Sequence, residues 1–259
     1  MGRTRASVKR GPGSLYRSFK SLEYLATRDR RAALSFALAR DLRGISIGAR
    51  LGLIRRFVRA TNAVRGYHTL TEMLQIAGAI LARAGRSPVV LEAGCGYGAS
   101  TAKLSLAVRL AGGSLIACDS FQGIPENDER HDLLDGRKTE FRPGAFRGRL
   151  ASVRRTVETW GALEVCRFEK GWFADVLPRI EDPLDVVVLD VDLAQSTRTC
   201  VRELWPRLRP DGVLFSLDGQ LRATHELLAD ARFWREEVGS EPPLVEGLGE
   251  SKLLTLVRK

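Results

Sequence analysis

From residue 88 onward, short apolar runs alternate with amphipathic stretches. The runs fall at 89–91, 114–118, 165–168, 186–189, 213–217 and 253–257, with a weaker one at 244–248. Between them lie helical patterns at 100–110, 149–160, 173–180, 196–208 and 224–237. Strands separated by helices of this length pair in parallel through crossovers, which covers both faces of the sheet. The last two runs lie too close together for a crossover helix and are expected to pair antiparallel. The pattern predicts an α/β fold: a seven-stranded, mostly parallel sheet with helices on both faces and an antiparallel C-terminal hairpin.

From residue 21 to 64 the pattern is helical. Leu22, Leu25, Leu34, Phe36, Leu38 and Leu42 recur among charges from residue 21. A second stretch, 45–64, gathers Leu51, Ile54, Phe57 and Val58 on one face, with Arg50, Arg55, Arg56 and Arg59 around it. Residues 3–20 mix Arg, Lys, Ser and Gly and read as a mobile arm.

The net charge of +10 sharpens this division, because all the excess is N-terminal. Residues 1–65 hold 16 Lys and Arg against 3 Asp and Glu, whereas the remaining 194 hold 25 against 28. The expected organisation is a basic arm and helical cap over 1–65, followed by a near-neutral catalytic domain over 66–259. Several readings of the basic segment stay open. It can be a cap with solvated arginines, a peripheral contact with anionic lipid or an acidic partner, or a grip on nucleic acid. Only Tyr16, Phe19 and Tyr24 are interleaved for base stacking, which argues against nucleic acid.

A hydrophobic content of 44% is enough for a substantial core. No apolar run approaches the ~18 residues that a membrane-spanning helix needs. No secretory signal is recognisable at the start, although its Arg- and Ser-rich, acid-poor character also resembles an organelle transit peptide. Cys95, Cys118, Cys166 and Cys200 show no C-x-x-C spacing and read as reduced core thiols of a cytoplasmic protein. A homo-oligomer stays open.

The chemistry concentrates in 89–101. A strand ends in Glu92, Gly94, Gly96 and Gly98 recur at every second position around Cys95 and Tyr97, and Ser100-Thr101 opens a helix. Such glycines let a ligand approach the backbone, and the helix start offers unpaired N–H groups. The spacing is G-x-G-x-G after an acid rather than G-x-G-x-x-G. This favours S-adenosylmethionine over a dinucleotide, because an acid can hold the methionine ammonium. Asp119, 25 residues after Gly94 and followed by Ser120, is placed to take both ribose hydroxyls.

Several phrases together resemble the macrocin O-methyltransferase family. They are Asp119-Ser120-Phe121-Gln122-Gly123-Ile124-Pro125, Gly171-Trp172-Phe173-Ala174-Asp175, Asp190-Val191-Asp192-Leu193, and Leu204-Trp205-Pro206 leading to Pro210-Asp211-Gly212. The resemblance covers about residues 65–257. It implies a Rossmann-like, S-adenosylmethionine-dependent methyltransferase acting on a hydroxyl of a sugar or similar small molecule, often with a divalent metal. It places Asp119 on the ribose and Gly171, Trp172 and Phe173 beside the adenine. It also makes Asp190 both a cofactor neighbour and a metal ligand. The paired aspartates that normally complete the metal site read Leu217-Asp218 here, and an aromatic after D-x-D-L is replaced by Ala194.

Asp190 and Asp218 are therefore the candidate magnesium ligands, with one carboxylate missing. Candidate bases for the acceptor hydroxyl are Asp190, Asp192, His131 and His225. His131 lies in a polar insert at 126–148 that is longer than a connection requires and reads as a lid or a disordered loop. The leading expectation is a small-molecule O-methyltransferase. Two alternatives stay open: a methyltransferase-like binding module that has lost its chemistry, and an RNA methyltransferase.

Overall fold

The computed structural model describes residues 29–42 and 44–258. The expected arm over 3–20 and the first turns of the helical pattern from 21 lie outside the described residues. Seven strands form one sheet: β1 (Val89–Ala93), β2 (Ser114–Asp119), β3 (Cys166–Lys170), β4 (Leu184–Leu189), β5 (Leu208–Ser216), β6 (Val245–Glu246) and β7 (Leu254–Val257). The order is β3-β2-β1-β4-β5-β7-β6, parallel except for β7, which runs antiparallel to both β5 and β6. The α/β class, the Rossmann-like mostly parallel sheet and the terminal hairpin are as the periodicity indicates.

Continuous apolar runs serve this sheet because it is buried on both sides. Val90, Leu115, Val186, Val188 and Phe215 face one core, whereas Leu91, Ile116, Val187, Leu189 and Leu214 face the other. The first core is roofed by α1 (Asp29–Leu38), α2 (Ile47–Ala63), α3 (Leu70–Leu81) and α4 (Ala99–Ala111). The second is covered by α6 (Phe173–Val176), α7 (Ala194–Leu204), α8 (Arg222–Ala229) and a π-helical segment, Phe233–Val238, whose Trp234 is fully buried. Another helix, α5 (Leu150–Trp160), packs Val153 against Cys95, Ala117 and Phe121 beside the β1–α4 loop.

Three predicted helices are shorter than their patterns suggest. The 173–180 stretch is one α-turn followed by a 3-10 turn at Leu177–Arg179, and 196–208 becomes 3-10 at Trp205–Arg207. Each conversion coincides with a proline, Pro178 or Pro206, whose missing N–H cannot continue the α ladder. The 224–237 stretch breaks at Asp230, whose extended backbone ends α8 while its carboxylate accepts from the Arg232 N–H. By contrast, α3 had no counterpart in the apolar pattern, although Thr69 and Glu72 form a reciprocal capping box at its start.

Residues 29–65 share a single core with the sheet: Phe36, Leu42, Leu53 and Phe57 pack in the cluster that contains Val90 and Leu115. Arg50 does not belong to the solvated basic face expected of it. It is buried, and its guanidinium donates to the carbonyls of Ala37, Ala39 and Ile45, stitching α1 to α2.

Candidate active site

The site grows from the end of β1. Gly94 has φ +93°, and a Cβ there would lie 2.0 Å from the carbonyl oxygen of Asp190, so only glycine lets the loop pass the end of β4. Gly98, also left-handed, ends the loop and starts α4. The loop is tied down from β2. Asp119 Oδ2 accepts from the N–H groups of Cys95 (2.7 Å) and Gly96 (3.2 Å), and Oδ1 accepts from Phe121 (2.6 Å). Burial raises the Asp119 carboxyl above its usual value against the pull of these three bonds. With two donors on Oδ2 and one on Oδ1, Oδ1 keeps a further lone pair for a ligand hydroxyl.

A cavity of about 750 Å³ runs along the C-terminal edge of the sheet from this loop. Its volume is in the range of small-molecule and cofactor sites. Gly94, Cys95, Gly96 and Tyr97 form one wall; Asp119 and Ser120 lie below. The Gly171-Trp172-Phe173 turn closes this end, held by a bond from the Gly171 N–H to the Asp119 carbonyl (3.0 Å). The structure thus brings these sequence-predicted residues together. Gly98 and Glu92 are not on the wall. Glu92 is fully buried beneath it, and both its carboxylate oxygens and the nearby Thr101 hydroxyl lack hydrogen-bond partners. Burial pushes Glu92 up to about 7, opposed by the neighbouring Ser100 and Thr101 hydroxyls.

The polar insert forms an ordered roof. Ile124, Phe141 and Phe146 line the cavity from above. Ile124 and Phe141 also pack with Leu193 and Leu221. Glu129 fastens the roof to α7 by accepting from the N–H groups of Ala194 (2.8 Å) and Gln195 (2.9 Å), satisfying the helix start. His131 is part of this scaffold rather than of the cavity wall. Its Nε2 pairs with Asn127 Oδ1 (2.9 Å), its Nδ1 accepts from the Phe141 N–H (3.1 Å), and its ring lies edge-on to Phe141. With both nitrogens engaged in the roof, it has none left for a substrate proton. His225, on α8, is also off the wall.

The opposite end of the cavity is acidic. Asp190 and Asp192, after β4, and Asp218, after β5, all line it. Asp218 is 1% exposed, and its Oδ2 accepts from the N–H groups of Val191 (3.0 Å) and Asp192 (3.1 Å), shaping the turn in which Asp192 takes a left-handed φ of +62°. Burial raises the carboxyls of Asp192 and Asp218, reinforced by the charges of Asp218 and Asp190 on Asp192 and of Asp190 on Asp218. Asp190 behaves oppositely. Burial would raise it, but His68, by charge and hydrogen bond, together with Lys252 holds it below the usual range.

The third histidine of the chain, His68, is the site residue the sequence did not reveal. Its side chain is 4% exposed, and its Nε2 lies 2.8 Å from Asp190 Oδ2. Lys252, from the turn before β7, completes the group. Its Nζ is 3.2 Å from the Tyr67 carbonyl and 3.5 Å from His68 Nδ1. The only local signal at His68 is its place immediately before the capping box of α3.

These donors do not fit a magnesium ion, which prefers near-octahedral oxygen coordination. Asp190 is engaged by His68, Asp218 is engaged by two backbone N–H groups, and the Lys252 ammonium acts on both by its charge. Leu217 is fully buried in the core, and among the described residues no three His, Cys, Asp or Glu side chains are arranged to hold a metal ion. In the structure the partner of Asp190 is His68, and Asp218 holds the Asp192 turn.

Known proteins share parts of this chain. Residues 91–218 match a family model described as a methyltransferase domain, Methyltransf_24. Over 131 residues the chain is 33% identical to the 8-demethyl-8-(2,3-dimethoxy-alpha-L-rhamnosyl)-tetracenomycin-C 4'-O-methyltransferase of Streptomyces olivaceus. That match covers 49% of each chain, about half the length of the curated relative. Similar solved structures include the O-methyltransferase NovP, with TM-score 0.60, 22% identity, and coverage of 75% of this chain and 83% of that one. Another is the calicheamicin methyltransferase CalS11, with TM-score 0.57, 14% identity, and coverage of 99% and 98%. At these identities the structural likeness speaks to the fold.

Proposed function

We propose, from the match of residues 91–218 to a methyltransferase-domain family model and from the sheet order, that the chain is an S-adenosylmethionine-dependent O-methyltransferase acting on a sugar hydroxyl of a glycosylated small molecule. The observation that carries this reading is a single cavity in which a glycine loop and strand-end acid lead directly to an ionised carboxylate. The sugar hydroxyl as acceptor is supported by the curated relative, which is named for methylation of a rhamnosyl group.

The residues present suit the cofactor. Asp119 keeps a lone pair on Oδ1 for a ribose hydroxyl, and Trp172 and Phe173 offer a flat apolar wall at the same end. Glu92 leaves two buried acceptors without partners below the loop, a negative potential that favours a cationic amino-acid tail. When bound, S-adenosylmethionine supplies an electrophilic methyl group and departs as a neutral thioether.

The protein's part is alignment and proton removal. As the acceptor oxygen forms its bond to the methyl carbon, the carbon–sulfur bond breaks and its electron pair stays on sulfur. The hydroxyl proton becomes strongly acidic in the same step, so a carboxylate is a sufficient acceptor. Asp190 suits that role because it faces the cavity, with its side chain 26% exposed, and is held ionised by His68. Asp192 and Asp218 are stronger bases once ionised, but Asp192, pushed up to about 9, already carries its proton at neutral pH, and Asp218 is occupied by two backbone N–H groups. The roof of Ile124, Phe141 and Phe146 excludes water from the path.

Calorimetry with S-adenosylhomocysteine tests the cofactor assignment. Asp119→Ala is expected to weaken binding by about 100-fold, since a charge-assisted contact and the ties on the loop are lost together. Unchanged affinity in that variant removes the basis for the reading.

A further inference from the structure

Lys252 and His68 stand where the fold gathers three carboxylates, and the O-methyl-transfer scheme leaves their joint role unassigned. Lys252 comes from the turn between β6 and β7, and His68 from the residue preceding the N-cap of α3. Both therefore reach the end of β4 from outside the parallel part of the sheet. Two donors of the ammonium are directed at the Tyr67 carbonyl and at His68 Nδ1. An ammonium has three donors, so one is left, and Lys252 lines the cavity. His68 turns Nδ1 towards the ammonium and Nε2 towards Asp190 Oδ2, so the ring bridges the two groups. The three groups form a row, Lys252 to His68 to Asp190, with the imidazole between the ammonium and the carboxylate, and both ends of the row line the cavity. The Lys252 charge acts on Asp190, Asp192 and Asp218 alike.

A divalent cation in this position would neutralise the same carboxylates and polarise the acceptor hydroxyl. It would first have to displace the ammonium and free Asp218 from the two N–H groups that form the Asp192 turn. We propose that Lys252, braced by His68, takes the place of a divalent cation: its remaining donor holds the acceptor oxygen beside Asp190, and methyl transfer proceeds without metal. The balance of the step is unchanged from that given above. The oxygen bonds the methyl carbon, sulfur keeps the electron pair and Asp190 takes the proton, with Lys252 remaining an ammonium throughout. Lys252 and His68 are thus positioning residues, and this inference rests on the O-methyl-transfer reading.

The test uses the full chain and three measurements. Binding of S-adenosylhomocysteine to the unaltered protein comes first, and its absence strikes the cofactor reading itself. Next, MgCl2 and MnCl2 are titrated calorimetrically into the protein saturated with S-adenosylhomocysteine. No saturable binding is expected below about 1 mM, whereas micromolar binding overturns the inference even if the acceptor is never identified. Finally, transfer to a rhamnosylated acceptor is compared in EDTA and in Mg2+, where rates within about twofold are expected; loss of transfer in EDTA also overturns it. Lys252→Met is expected to lower kcat/KM for the acceptor by about tenfold or more while leaving S-adenosylhomocysteine affinity unchanged, and Lys252→Arg to recover part of the loss. Lys252→Met with unaltered acceptor kinetics refutes the role given to the ammonium.

Discussion

Asp119 and Glu92 meet the same glycine loop from different strands, the first from β2 and the second from β1, yet burial gives them different work. Asp119 is satisfied by three backbone N–H groups, so it shapes the loop before any ligand arrives and presents its remaining lone pair in a fixed orientation. Glu92 has no such partners, and its free form is costly when ionised. Its folded-state value of about 7 lies above the ordinary 4.5, so between those values the folded protein binds more protons than the unfolded chain. The stability Glu92 contributes therefore falls as pH rises through that window. Glu92→Gln is expected to remove this component, up to about 3 kcal/mol, so that denaturant midpoints of the ligand-free variant decline less from pH 5 to 8 than those of the unaltered protein. Parallel curves for the two proteins would show that Glu92 is not the group responsible. The histidines teach a related lesson. His131 has its nitrogens engaged in holding the roof, whereas His68 orients a carboxylate, and residue type alone does not distinguish the two.

At the scale of elements, local chemistry explains more than periodicity does. The capping box of α3, Thr69 with Glu72, satisfies helix N–H groups and fixes the direction in which the preceding His68 leaves the chain. Asp29 adds to it from 42 residues away, accepting from the Thr71 N–H and hydroxyl. Thr69→Ala is expected to cost about 1 kcal/mol in urea unfolding, with a measurable loss of acceptor turnover if α3 sets the His68 position. The capping box was readable in the sequence as a Thr-x-x-Glu signal ahead of an apolar run, and α3 could have been found from it. The shortening of three helices was likewise encoded, in Pro178, Pro206 and Asp230, but a count of apolar positions does not register a missing N–H. The insert is different. That its polar chain forms an ordered roof depends on Glu129 finding the start of α7 and on Leu133 pairing with Leu221, contacts between segments more than 60 residues apart.

At the scale of the whole molecule, the described helices of the basic N-terminal segment pack their apolar side on the sheet. The helices of 29–63 complete the core on one face of the sheet, and Arg50, counted among the surface cations by its spacing, is the internal brace between them. Arg50→Met is expected to destabilise the protein by about 2–4 kcal/mol, because three carbonyls lose their donor in a buried place; chemical denaturation should show this as a lower midpoint with an unchanged slope. A change below about 0.5 kcal/mol would mean that α1 and α2 are held by apolar packing alone. The cavity itself is a product of this assembly: its walls come from the loops at the ends of β1, β2, β4 and β5, the chain before α3 and the turn before β7.

The sequence by itself determined the sheet, its mixed character and the glycine loop with Asp119. Those features are encoded locally: continuous apolar runs require burial on both faces, and positive φ next to a crossing strand requires glycine. Only the tertiary structure decided what happens at the acidic end. The partner of Asp190 is 122 residues away in sequence, and the lysine beside that partner is another 184 residues from it. Nothing in the neighbourhood of Asp190, His68 or Lys252 announces the other two. Charge and hydrogen bonding act through space, so the meaning of a strand-end aspartate depends on which distant cation the fold brings to it.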